Sequence, residues 1–171
     1  MRTLFRTPAI LIAVVLGTAV PALAQTVRPA PIVEFQTGYA GFIDESWIKR
    51  LVIGGAGRVF VSPRVAVGPE FLYLHASGNE HDWTLTGNVS FDLMHESPSR
   101  VVTPYLVAGA GLLSQTTQVG TGPYTSKDAT FSGGAGARIA LGKRVFIAPE
   151  FRMGFEPEVR IGVAIGFRPG R

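Results

Sequence analysis

The chain has 171 residues, with 16 Lys and Arg against 12 Asp and Glu and a formal charge of +4. Only 16% of it is charged while 46% is hydrophobic, 21 residues are glycine and none is cysteine. That balance excludes a disordered chain, a coiled coil, a disulfide scaffold, Cys-ligated metal and a thiol nucleophile, and the small net charge argues against a nucleic-acid partner.

The first element is an address. Arg2 and Arg6 precede an apolar run from Ala9 to Val20, and Ala22-x-Ala24 has the small-residue form of a cleavage site. The run is short for a membrane-spanning helix of about 20 residues. A secretory signal peptide is therefore expected over 1–24, and losing its two arginines takes the charge from +4 to +2. Residues 25–31 (QTVRPAP) form a short Pro-containing lead-in.

From 32 to 171 the chain alternates apolar residues with small or polar ones, the period-2 pattern of strands with two unlike faces. Eight strands are predicted, at about 32–43, 50–61, 65–77, 82–95, 101–114, 128–141, 144–155 and 158–168. Their length suits tilted strands crossing a bilayer. Ser62-Pro63-Arg64, Glu96 to Arg100 and Gly142-Lys143 are expected as tight turns, and Asp44 to Lys49, Gly78 to His81 and Gln115 to Lys127 as loops at the other rim. Short turns at one end and longer loops at the other suit an outer-membrane barrel. Residues 53–71 also match 133–151 at an offset of 80, through Gly54/Gly134, Arg58/Arg138, Arg64/Arg144, Val65/Val145 and Pro-Glu-Phe at 69–71 and 149–151. Strands two and three thus repeat as strands six and seven. Pro69 and Pro149 fall within strands, and bulges are expected there.

The faces separate by parity. Val67, Phe71, Tyr73, Ile147, Phe151, Ile161, Val163 and Ile165 share a bulky apolar side, whereas Ala66, Gly68, Glu70, Ala148, Glu150, Arg152, Gly162 and Ala164 share a small one with isolated charges. Strand five is ambiguous. A soluble lipocalin-like barrel would turn the bulky face inward around an apolar ligand; a membrane barrel would turn it to lipid. Three features select the membrane form. The small face is mostly Gly and Ala. Its charges nearly cancel, Glu34, Glu70, Asp92, Glu150 and Glu158 against Arg58, Arg138, Arg152, Arg160 and Arg168. Tyr39, Tyr73, Trp83, Tyr105 and Phe167 lie near strand ends as an aromatic girdle would.

Thr103-Pro104-Tyr105-Leu106 leading to Gly109-Ala110-Gly111, Gly134-Ala135-Gly136-Ala137-Arg138, Ala148-Pro149-Glu150-Phe151-Arg152 and the closing stretch Arg160 to Phe167 together resemble the small eight-stranded outer-membrane β-barrel proteins of the OmpA and OmpX type. The resemblance covers everything after the leader. It implies an outer-membrane location, lipid contact and assembly by the barrel machinery, which reads a closing aromatic, here Phe167. It carries no peptidoglycan-binding domain over, so wall anchoring is not expected.

A lumen network of Glu34, Arg58, Glu70, Asp92, Arg138, Glu150, Arg152, Glu158 and Arg160 is expected as a structural plug, with Glu70 and Glu150 paired chiefly to Arg58 and Arg138 across the two repeated hairpins. His75-x-Ser77 resembles the catalytic pair of outer-membrane lipid A deacylases, with Glu80 and Asp82 as nearby acids placed in a loop. The Asn-Ala expected after that Ser is Gly78-Asn79 here, so no catalytic residue is assigned. His75, Glu80, His81 and Asp82 lack fixed metal geometry, and Gly120 to Lys127 lacks phosphate-loop spacing, so neither a metal nor a cofactor is predicted. The fold expected is all-β, one eight-stranded antiparallel up-and-down transmembrane barrel. Its expected role is structural or interactive: a non-enzymatic monomer whose loops meet an extracellular partner. A periplasmic lipocalin-like ligand binder is the alternative, and a lipid A deacylase using His75 and Ser77 the remote one.

Overall fold

The computed structural model describes residues 29–42, 48–75, 81–95, 100–119, 122–155 and 158–169. The expected leader lies outside them. The described chain forms a closed barrel of eight antiparallel strands: β1 (Ile32–Phe42), β2 (Ile48–Phe60), β3 (Val65–His75), β4 (His81–Asp92), β5 (Val102–Val119), β6 (Gly122–Ala140), β7 (Val145–Gly154) and β8 (Glu158–Phe167). Each strand pairs with the next, and β1 closes on β8 from Val33↔Phe167 to Phe42↔Glu158.

The repeat is visible in the backbone. Val61 N–H donates to the Val65 carbonyl and Leu141 N–H to the Val145 carbonyl, both at 2.9 Å. The Arg64 and Arg144 carbonyls then accept from Asp92 and Arg168 of the following strand ends. In the first turn the Ser62 hydroxyl also accepts from the Val65 N–H at 3.1 Å, an ordinary use of serine in a tight turn.

Three expectations are corrected. Pro69 and Pro149 do not make bulges. The β2–β3 register is the same at Ala56↔Glu70 and Val59↔Val67, and the β6–β7 register the same at Gly136↔Glu150 and Ile139↔Ile147. No residue is inserted; the ladder simply lapses for the pairs between, where proline offers no N–H. Gln115 to Lys127 is not a loop either. β5 and β6 stay paired through Gln115↔Ser126 out to Val119↔Gly122. Thr116, Thr117, Val119, Tyr124 and Thr125 are good strand formers, and the pairing needs no lipid to satisfy it. Finally, Tyr105 belongs to the inner face. Its cross-strand partner is Asp92, and directly paired residues point to the same side. Tyr105 is 1% exposed, while Leu106 is 48% exposed, which resolves the parity of β5.

The bulky face is outward. Phe35, Tyr39, Phe71, Leu85, Val89, Phe131, Phe151, Ile161 and Ile165 are all exposed. The lipocalin-like alternative, which needs this face inside, is thereby excluded. Inside, apolar residues gather at the turn end (Ile32, Phe60, Ala66, Tyr105, Val107, Phe146, Ala148, Ala164) and at the loop end (Ala40, Val52, Leu72, Leu74). The charged residues around Glu70 and Glu150 lie between these layers.

Closure at this diameter depends on inward glycines. A Cβ on Gly134 would run into the Phe151 carbonyl oxygen and the Arg152 Cα. Gly134→Val should destabilise the folded barrel by about 1–3 kcal/mol, the usual cost of overpacking, read as a lower urea midpoint in detergent micelles. Gly142→Val, at a turn position with open space around it, should cost less.

Candidate functional site

Period 2 sends alternate residues of all strands to one interior, and the inward set carries arginines and carboxylates too long to avoid one another. Arg58 Nε donates to Glu34 at 2.8 Å. Glu70 accepts from Arg152 at 2.9 Å, from the Gln36 amide at 3.0 Å and from Arg160 at 3.1 Å. Glu150 accepts from Arg152 Nε at 2.6 Å and from the Tyr105 hydroxyl at 2.7 Å. Arg58 also lies 3.9 Å from both Glu70 and Glu150, which links the groups into one cluster of three carboxylates and three guanidiniums. Arg152 further donates to the Asn88 side-chain oxygen at 2.6 Å. Equal charge and dense hydrogen bonding are what a buried ionic group requires.

Two pairs flank the cluster. Toward the turns, Arg138 donates to Asp92 at 2.5 Å. Toward the loops, Arg50 pairs with Asp82. Glu158 lines the cleft beside Arg152 and Arg160, and among the described residues it makes none of the ion pairs. Two clefts among the described lumen residues, one beside Gln36 and Glu150 and one beside Glu70 and Glu158, are about 20 Å³ each, room for roughly one water.

The expected pairing scheme is therefore corrected. Glu70 is held mainly by Arg152 and Arg160, with Arg58 more distant, and Arg138 does not meet Glu150. The reason lies in substitutions between the two halves, one of them Asp92, whose counterpart at the end of β8 is Arg168. Glu34 stands opposite Ala56, and at the equivalent place opposite Gly136 stands Tyr105. The Tyr105 ring fills the space above Gly136 and its hydroxyl takes Glu150. Arg138 then stacks on that ring, 4.4 Å from its centroid, and continues to Asp92.

A family model described as the outer membrane protein β-barrel domain matches residues 10–154. The chain belongs to this family. It is an outer-membrane β-barrel protein. No curated protein matches it in sequence. Among solved structures it resembles neisserial surface protein A, with TM-score 0.69, 11% identity, 81% of this chain covered and 96% of that one. The N-terminal barrel domain of Pseudomonas aeruginosa OprF gives TM-score 0.64 at 16% identity, covering 80% and 96%. Ail, the attachment invasion locus protein of Yersinia pestis, gives 0.53 at 12%, covering 81% and 97%. At these identities the likeness is one of fold.

The remaining candidates fall at the loop rim of this outer-membrane barrel. His75 ends β3, exposed, opposite His81 of β4. Asp82 was expected in a loop but is an inward β4 residue, 1% exposed and paired with Arg50, so it lies on the opposite face from His75. Ser77 and Glu80 lie outside the described residues. Gly122 to Lys127 is extended strand within β6, not a phosphate cradle. No group of three or more His, Asp or Glu suited to a metal occurs among the described residues. Arg50, Asp82, Gln36 and Asn88 were missing from the expected network. Their parity with Arg58, Thr84 and Glu34 would have found them.

Glu70→Ala should destabilise the barrel by about 3–5 kcal/mol, because it leaves Arg152 and Arg160 facing a hole. Adding Arg152→Ala should return part of that loss in urea unfolding; a single mutant that unfolds like the parent would mean the cluster is solvated. Tyr105→Phe should cost about 1–3 kcal/mol by removing a donor from buried Glu150, whereas the exposed Tyr39→Phe should be neutral in the same assay.

Proposed function

We propose that this outer-membrane protein is a non-enzymatic surface protein whose barrel is a plugged anchor and whose work is done beyond the membrane. It acts as a monomer, exported by its leader, inserted by the barrel assembly machinery, and meeting an extracellular partner through its longer loops. The network of Glu34, Arg58, Glu70, Asp92, Arg138, Glu150, Arg152, Glu158 and Arg160 serves as a structural plug rather than a conducting path.

The observation that carries this reading is the β5–β6 hairpin. β6 pairs with β5 from Gly122 onward, but its ladder to β7 begins only at Ser132. Residues 122–130 thus have a described neighbour on one side alone, about 30 Å of strand edge at ~3.3 Å per residue. Tyr124, Thr125, Lys127 and Asp128 are exposed along it. A hairpin continued past the barrel wall adds nothing to crossing a bilayer, and it offers an edge and side chains to a partner. Against catalysis stands the inward turn of Asp82, which removes that acid from His75.

Trypsin added to intact cells should cut at Lys127 while the barrel strands stay protected. Cleavage only after permeabilising the outer membrane would place the hairpin on the periplasmic side and overturn the proposal. In planar bilayers the purified protein should show no wide-pore conductance; steady large current steps would remove the plug assignment.

A further inference from the structure

The outward apolar surface runs directly into the short turns. Val61, Leu93, Met94, Val101 and Leu141 are all exposed at that end. Cations flank this apolar edge in the turns. Arg100 precedes Val101, Arg144 precedes Val145, and Lys143 stands two residues past Leu141, with Arg64 closing the β2–β3 turn. Arg100, Lys143 and Arg144 are exposed and Arg64 half-buried. Long basic side chains beside lipid-facing residues lay their stems on apolar surface and put their charge where hydrocarbon gives way to headgroups.

Two of these cations are tied together. Arg64 Nε donates to His95 Nδ1 at 3.1 Å, with Nη2 2.7 Å from the same nitrogen, and Arg100 Nη1 donates to the His95 carbonyl at 2.8 Å. His95 therefore gathers guanidiniums from two neighbouring turns. Both of its contacts are neutral acceptors, so they orient the arginines without cancelling their charge. Among the described residues no carboxylate pairs with Arg64, Arg100 or Lys143. Glu96, the acid of these turns, lies outside the described residues and stands against four cations. In sequence, the stretches around the other connections have the opposite balance, with Asp44, Glu45, Glu80, Asp128 and Glu156 against Lys49 and Lys127.

We propose that the turn rim is a binding surface for anionic glycerophospholipid headgroups in the leaflet at that end, one phosphodiester seated against Arg64 and Arg100 and another against Lys143 and Arg144. The planar guanidinium fork matches phosphate oxygens, and held guanidiniums need a counter-charge, which no carboxylate among the described residues gives Arg64 or Arg100. A zwitterionic lipid brings its own ammonium to the same rim, so selection favours lipids of net negative charge.

The test uses the folded full chain in detergent, mixed with equal amounts of phosphatidylglycerol and phosphatidylcholine, and native mass spectrometry of the retained adducts. The parent should retain phosphatidylglycerol in preference. The variant Arg64→Gln/Arg100→Gln/Lys143→Gln/Arg144→Gln should lose that preference by roughly tenfold or more, and Lys49→Gln/Lys127→Gln at the loop rim should keep it. Heat-modifiable migration in SDS gels confirms folding of each variant. Should the quadruple variant not fold, Arg64→Gln/Arg100→Gln and Lys143→Gln/Arg144→Gln, made separately, should each lose part of the preference. Equal retention of both lipids by the parent, or an unchanged preference in the turn-rim variants, overturns the proposal. So does retention of added inorganic phosphate without lipid preference, which would assign the rim to a solute anion.

Discussion

Hydrocarbon offers no hydrogen bond to a backbone N–H or carbonyl, and the rest of this structure depends on that constraint. An open sheet would expose a full row of such groups on each edge strand, so the eight strands must close, and β1 meets β8 along nearly its whole length. Closure in turn fixes how narrow the interior is. An eight-stranded barrel has room for side chains and little else, which is why its inner wall alternates glycine and alanine with a few very long residues. Gly134 faces Arg152, and Gly136 lies beneath the Tyr105 ring. At these places a large inward group is accommodated by a missing one across the ladder.

Filling such an interior with charge is stable only if every ion has counter-ions and is shielded from lipid by the wall itself. The central cluster meets this with matched numbers of carboxylates and guanidiniums, and the apolar layers above and below it limit water. The two halves of the repeat share backbone turns but not ionic partners. Glu34 beside Arg58 and Tyr105 beside Arg138 occupy corresponding places, as do Arg168 and Asp92, and these differences send the two arginines to different acids. A repeat conserves backbone geometry more readily than it conserves a network, because a network is set by all of its neighbours at once.

With the lumen occupied, the chemistry that differs from one place to another is at the two rims. Among the described residues the loop rim bears exposed Lys127 and Asp128, an exposed aromatic at Tyr124 and the continued β5–β6 hairpin. The turn rim bears arginines and a lysine set against apolar residues that reach almost to the turns. One wall thus serves two unlike surfaces, held a bilayer apart.

Strand number, face parity and most of the inward charges were legible in the sequence, because a side-chain period of two writes the face of a strand directly into residue order. Glu34, Glu70, Glu150, Arg58, Arg138 and Arg152 could be placed inward on that ground alone. Tyr105 could not, since glycines and alanines on both parities of β5 blur the pattern until the register with Asp92 is known. Asp82, the first residue of its predicted strand, was read with the neighbouring loop; its pairing with both Leu74 and Gln115 makes it a strand residue that faces inward. The continued β5–β6 hairpin was hidden, its residues being polar where strands inside a bilayer are not. What the sequence determined by itself was the barrel and which face meets lipid; what only the tertiary structure decided was which arginine meets which acid. Ion pairing across a lumen joins residues on strands that are not neighbours, as Glu70 of β3 joins Arg160 of β8, and no local period carries that information.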